Sequence, residues 1–159
     1  GQGTIFKLYL PLIENELVQA QDKTADPLPG GVESILFVDD EEAIAQLSEE
    51  ILLHLGYQVT SLTSSREALT LFQNQPKKFD LVITDQSMPY MSGLELAQKI
   101  MKIRPDIPVI LCTGFSQQVS PEKAREAGIR LFLMKPLILQ DLANAVRQTL
   151  DASPNEPTA

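Results

Sequence analysis

Between Ser34 and Leu150 the chain repeats one pattern five times: a short apolar run, then a stretch with apolar residues at helical spacing. The first run, Ser34–Val38, is continuous rather than alternating, which marks a strand buried on both faces. Residues 41–55 then place Ile44, Leu47, Ser48, Ile51, Leu52 and Leu55 on one helical face, and Gly56 ends that helix. Further strands are expected over residues 57–62, 79–84, 108–112 and 131–134. Helices are expected over 64–72, where Ser64 and Glu67 have capping-box spacing, and over 93–103. Another runs from Ser120 and Pro121 to Gly128, and the last, 141–150, packs through Leu142, Val146 and Leu150. Parallel neighbours need crossover connections. The alternation therefore predicts an α/β fold, a doubly wound five-stranded parallel sheet with helices on both faces.

The chain has 159 residues, 43% of them apolar, which suits a single domain. Ahead of it, residues 4–10 alternate with Phe6, Leu8 and Leu10 on one face and read as a further strand. Residues 14–31 have no period and end in Asp26, Pro27, Leu28, Pro29, Gly30 and Gly31, a composition for a linker. A formal charge of −8 argues against holding a nucleic-acid backbone. No apolar run approaches the roughly 18 residues that span a bilayer, and the start lacks the pattern of a signal peptide. One Cys and one His exclude a disulfide framework and a Cys/His zinc site, and leave a reducing, cytoplasmic setting as the expectation. A bound metal would need oxygen ligands.

Ligands of open parallel sheets bind outside the carboxyl ends of the strands. There the sequence places Asp39 and Asp40 after the first strand, Asp85 after the third, Thr113 after the fourth, and Lys135 and Pro136 after the fifth. Three carboxylates brought together repel one another, and either Lys135 or a hard divalent cation would relieve that. Mg²⁺ fits, since it takes one or two carboxylates plus waters and a phosphate oxygen. Taken singly, each residue has an ordinary role. Asp39 to Glu42 can be an acidic first helical turn, Thr113-Gly114 a turn, and Lys135-Pro136 a strand exit. Their joint placement at the ends of four strands favours a functional site.

At these residues the sequence resembles the receiver domain of two-component response regulators. The pieces are Ile35 to Asp40, then Asp85-Gln86-Ser87-Met88-Pro89, Leu111 to Gly114, and Leu133 to Pro136, in the family's order. The resemblance covers roughly residues 32–151 and implies a flavodoxin-like sheet of strand order 2-1-3-4-5. It implies that Asp85 is the phosphoacceptor, attacking the phosphorus of a phosphohistidine. Asp40 and Asp85, the backbone carbonyl of Ser87 and, mainly through water, Asp39 would hold Mg²⁺. Lys135 and the Thr113 hydroxyl would contact phosphoryl oxygens, and Gly114 would leave room beside them. Phe132 matches the aromatic whose rotamer follows the threonine, here without a tyrosine hydroxyl. Ser87 and Phe115 hold positions that tune phosphate lifetime in the family. As a lysine at an exposed strand end, Lys135 is expected to add little to stability.

A second resemblance covers residues 1–13, from Gly1-Gln2-Gly3-Thr4 to Leu10-Pro11, which look like the final strand of a histidine-kinase ATPase domain. It implies the C-terminal part of a hybrid histidine kinase, a parent protein that can be membrane-anchored elsewhere, with residues 14–31 as linker and 152–159 as tail. No membrane contact or ATP binding is expected of this chain. Its phosphoryl donor would be a histidine of the kinase core or of a phosphotransfer protein. With no output domain expected after Leu150, the signal would leave through the fourth helix, fifth strand and fifth helix. Two alternatives remain: a receiver-like interaction module not controlled by phosphate, and an aspartyl-phosphate phosphatase. Ser87 stands where many such phosphatases carry a second acid. A nucleotide or flavin site would need glycines where Asp39 to Glu42 stand. His54 reads as a surface or cap residue, Cys112 as a buried small hydrophobe, and Met88, Met91, Met101 and Met134 as packing.

Overall fold

The computed structural model describes residues 28–114 and 127–152, together with Gly3, Thr4 and Lys7. Five parallel strands, β1 (Ser34–Val38), β2 (Gln58–Leu62), β3 (Leu81–Asp85), β4 (Val109–Thr113) and β5 (Leu131–Met134), form one sheet in the order β2-β1-β3-β4-β5. Four described helices connect or follow them: α1 (Glu42–His54), α2 (Ser65–Asn74), α3 (Gly93–Ile103) and α4 (Leu139–Asp151). Most of the expected strand over 4–10, the linker before residue 28, most of the helix over 120–128 and the tail after Ala152 lie outside the described residues.

Each strand residue follows the two-residue period of a pleated strand, and the sheet sorts them to two faces. Ile35, Phe37, Leu81, Ile83, Ile110, Cys112 and Leu133 pack on one side with Ala45 and Leu52 of α1 and Leu142, Ala145 and Val146 of α4. Leu36, Val38, Val82, Val109 and Leu111 pack on the other with Ala68 and Phe72 of α2 and Leu96, Ala97 and Ile100 of α3. Phe37, Phe72 and Phe79 are fully buried. Three layers result, with the sheet wholly covered at its centre, as the continuous apolar runs require.

Helix ends follow local chemistry. The N–H of Gly56 donates to Leu53 O at 3.0 Å and that of Tyr57 to Leu52 O at 3.2 Å, with Gly56 at φ +96°; this is a Schellman ending of α1. Ser64 accepts from Glu67 N at the start of α2, as its spacing predicts. Ser92 and Glu95 form a full capping box on α3.

Two packing expectations fail. Leu47 is 55% exposed, because α1 meets the sheet through Ala45, Ser48 and Leu52. Small Ala45 and Ser48 let the helix approach on that side, which turns Leu47 away by more than a quarter turn. Met134 is 50% exposed at the end of edge strand β5, whereas Met88 and Met91 are buried as expected. An edge strand has a neighbour on one side only, so its last residue lacks cover.

Candidate functional site

The pleat decides which site residues meet. Asp39 follows Phe37 by two residues, Asp85 follows Ile83, and Lys135 follows Leu133, so all three continue the side-chain column that faces α1 and α4. Lys135 Nζ lies 2.7 Å from Asp39 Oδ2 and 2.7 Å from Asp85 Oδ1, with Glu41 Oε1 further off at 3.9 Å. One ammonium therefore bridges two strand ends. The backbone places it there: Lys135 N–H donates to Thr113 O at 2.8 Å, extending the β4–β5 ladder by one bond.

Asp39 is fully buried. Its Oδ1 accepts from Glu41 N–H at 3.1 Å, so the carboxylate also turns the chain into α1. Its Oδ2 pairs with the Lys135 ammonium. Burial pushes the Asp39 carboxyl above its ordinary range, against the downward pull of Lys135. For Lys135, burial acts to lower the ammonium, and the contacts with Asp39 and Asp85 outweigh it, so the net shift is upward. Asp85 is the last residue of β3 and nearly buried, and its Oδ2 accepts from Ser87 N–H.

Not every expected residue joins this group. Asp40 is exposed, and among the described residues no three His, Cys, Asp or Glu side chains form a group able to hold a metal ion. The expected convergence of three carboxylates is thus a pair held by Lys135. Thr113 continues the opposite column, after Leu111, and its hydroxyl donates to Met134 Sδ at 3.3 Å. Phe132 is half-buried against the α2–α3 side of the core. A Cβ at Gly114 would meet no described atom within 4 Å. Phe115 lies outside the described residues. His54 is exposed in the last turn of α1, and Cys112 is buried, which pushes its thiol upward.

Lys135 corrects an expectation. Its side chain is only 17% exposed and serves two buried carboxylates, so it is not a free strand-end lysine. Gly93 is a residue that sequence reasoning missed. A Cβ there would drive into the backbone carbonyl of Asp85 and come within 2.8 Å of Leu111 Cδ1. Gly93 N–H also donates to Gln86 O at 3.1 Å, and Gln86 Oε1 accepts from Leu94 N–H at 3.3 Å. The start of α3 is thereby seated against the end of β3. The signal available was a Gly at the first helical position directly after the Ser92 cap.

The comparisons with known proteins agree with this geometry. The family model of the response regulator receiver domain matches residues 35–147. The chain belongs to that family. The sensor kinase CckA of Brucella abortus (strain 2308) is 31% identical over 95% of this chain and 17% of its own length. The chemotaxis protein CheY of Thermotoga maritima is 34% identical over 64% of this chain and 84% of its own. A response regulator receiver domain from Clostridium thermocellum superposes with a TM-score of 0.72 at 34% identity, covering 76% of this chain and 95% of that one. This chain therefore spans under a fifth of the kinase it matches along most of its length. No helix among the described residues is long and apolar enough to cross a membrane.

Proposed function

We propose that the chain is a phosphoacceptor of a two-component phosphorelay, taking a phosphoryl group from a phosphohistidine onto Asp85. The observation that carries this reading is the Lys135 ammonium, 2.7 Å from both Asp39 and Asp85 at the carboxyl edge of the sheet. In the transfer, an Asp85 oxygen forms a bond to phosphorus as the nitrogen–phosphorus bond of the donor breaks, and the imidazole leaves. Phosphoryl transfer asks mainly for positioning and for neutralised charge on the moving oxygens. Lys135 is placed to meet an oxygen of the group on Asp85. The Ser87 N–H holds the second Asp85 oxygen and so fixes the plane of the carboxylate.

The donor set suits Mg²⁺. Asp39, Asp40, Asp85 and the Ser87 carbonyl are hard oxygen ligands, and Lys135 already draws the buried Asp39 and Asp85 carboxylates to one place. Two carboxylates suffice for an ion that keeps most of its waters. When bound, Mg²⁺ would supply positive charge to the transferring oxygens. Lys135 would then share Asp39 and Asp85 with it, and the Thr113 hydroxyl would leave Met134 to reach the phosphoryl group. Phe132 would move with Thr113.

The match to a sensor kinase runs over 95% of this chain, beyond residues 35–147. That supports reading residues 1–13 as the end of a kinase ATPase domain, 14–31 as linker, 32–151 as receiver and 152–159 as tail. The partner would be a histidine of the kinase core or of a phosphotransfer protein, in the cytoplasm. Intact mass after incubation with a small phosphodonor and Mg²⁺ tests the function. One phosphoryl adduct is expected on the wild type and none on Asp85→Asn. An adduct retained on that variant would remove Asp85 from the role, and no adduct on folded wild type would favour an interaction module.

A further inference from the structure

We infer that Met134 is a positioning residue that holds the Thr113 hydroxyl away from the phosphoryl site until phosphate arrives. The inference rests on the phosphoacceptor reading above. Three observations support it. Thr113 and Met134 are register partners across β4 and β5. The Thr113 hydroxyl, itself nearly buried, donates to Met134 Sδ at 3.3 Å. Asp39, Asp85 and Lys135 are gathered by contacts of 2.7 Å that do not include Thr113.

A hydroxyl has one proton to donate. While that proton is directed at Met134, it cannot serve an oxygen on Asp85. A thioether is a weak acceptor, whereas a phosphoryl oxygen is charged and accepts strongly. The exchange therefore runs towards phosphate when phosphate is present and back to sulfur when it is absent. Sulfur keeps the buried hydroxyl from being left without a partner, at an energy small enough for the phosphoryl group to overcome. Met134 can move during the exchange, because half of it is exposed and it is an unbranched side chain. A leucine here would fill similar space with no acceptor. A glutamine would offer a stronger one of similar reach.

The readout is the apparent affinity for beryllium fluoride with Mg²⁺, a non-hydrolysable stand-in for the phosphoryl group, on the 159-residue chain. Met134→Leu is expected to bind about threefold more tightly and Met134→Gln about threefold more weakly, the scale of one weak hydrogen bond that competes for the binding-competent state. In a Thr113→Val background the two substitutions should no longer differ, which a purely structural role for Met134 would not produce. The Thr113 methyl signal of the unliganded protein gives a second, independent reading by NMR, and it should shift in Met134→Leu. Equal affinities in all three proteins, or differences that persist without the Thr113 hydroxyl, overturn the inference. If beryllium fluoride fails to bind the wild type, the phosphoacceptor reading falls. The Thr113 methyl signal then decides alone whether the sulfur contact exists.

Discussion

Lys135 carries one positive charge between two carboxylates, one fully buried and one nearly so, and its own side chain is 17% exposed. Deleting it leaves both carboxylates without their counter-charge, and breaking a buried pair costs more than a surface pair is worth. Lys135→Met, which keeps the apolar stem, is expected to lose about 2 kcal/mol in urea unfolding at neutral pH without divalent cation. The direction with pH follows from Asp39. Burial holds its folded pKa above the unfolded value, so the folded state binds its proton first as pH falls. Acidification through that window favours folding, and more so once Lys135 is gone. The deficit of Lys135→Met should therefore shrink towards acid pH. A deficit that is constant or grows on acidification would show that Lys135 acts through packing of its stem and not through charge.

The start of α3 ties a local signal to the site. Ser92 caps the helix by accepting from Glu95 N–H, and Glu95 accepts in return from Ser92. These bonds from Ser92 hold the Glu95 carboxyl below its usual range. Next to the cap, Gly93 lies against the Asp85 carbonyl. Ser92→Ala is expected to cost about 1 kcal/mol in thermal or urea unfolding with little effect on phosphoryl acceptance. Gly93→Ala should cost about 1–3 kcal/mol by overpacking and should also slow adduct formation, because the intruding Cβ displaces the backbone of Asp85. Equal rates for Gly93→Ala and wild type would detach the helix seat from the chemistry. These two residues mark how far the sequence can be read. The alternation of runs gave the parallel sheet, the cap spacing gave the start of α3, and the strand ends gave Asp39, Asp85 and Lys135. The strand order came from family resemblance, since alternation alone does not order strands. The seat of Gly93, the burial of Lys135 and the turn of the Thr113 hydroxyl towards Met134 depend on neighbours distant in sequence, and no local pattern encodes them. Leu47 failed for a related reason: helical spacing defines a stripe, but Ala45 and Ser48 decide how the helix leans on the sheet.

Ion pairs among the described residues stand at both edges of the sheet. The candidate site occupies the carboxyl edge. At the amino edge, just before β1, Glu33 meets Arg147 of α4 at 2.8 Å, and Arg147 also meets Asp151 at 2.8 Å. Gly31 passes so close that a Cβ would come within 2.6 Å of Tyr57 Cε1 and 2.8 Å of Arg147 Nη1. The segment just before β1 is thus fastened to α4. The Arg147 guanidinium holds the Glu33 carboxyl below its usual range, and the two carboxylates push Arg147 upward. A carboxyl with a depressed folded pKa stabilises the fold above its unfolded pKa, about 4.3 for Glu, and that contribution is lost as pH falls through the folded value. The pair remains partly open to water, so its size is about 0.5–1 kcal/mol. Glu33→Gln should therefore be less stable than wild type by that amount at neutral pH, with the difference closing as pH is lowered below about 4. Phosphoryl acceptance at Asp85 should be unchanged, since the substitution lies at the opposite edge of the sheet. Stability curves of the two proteins that run parallel down to strong acid would mean that the contact acts by shape and not by charge.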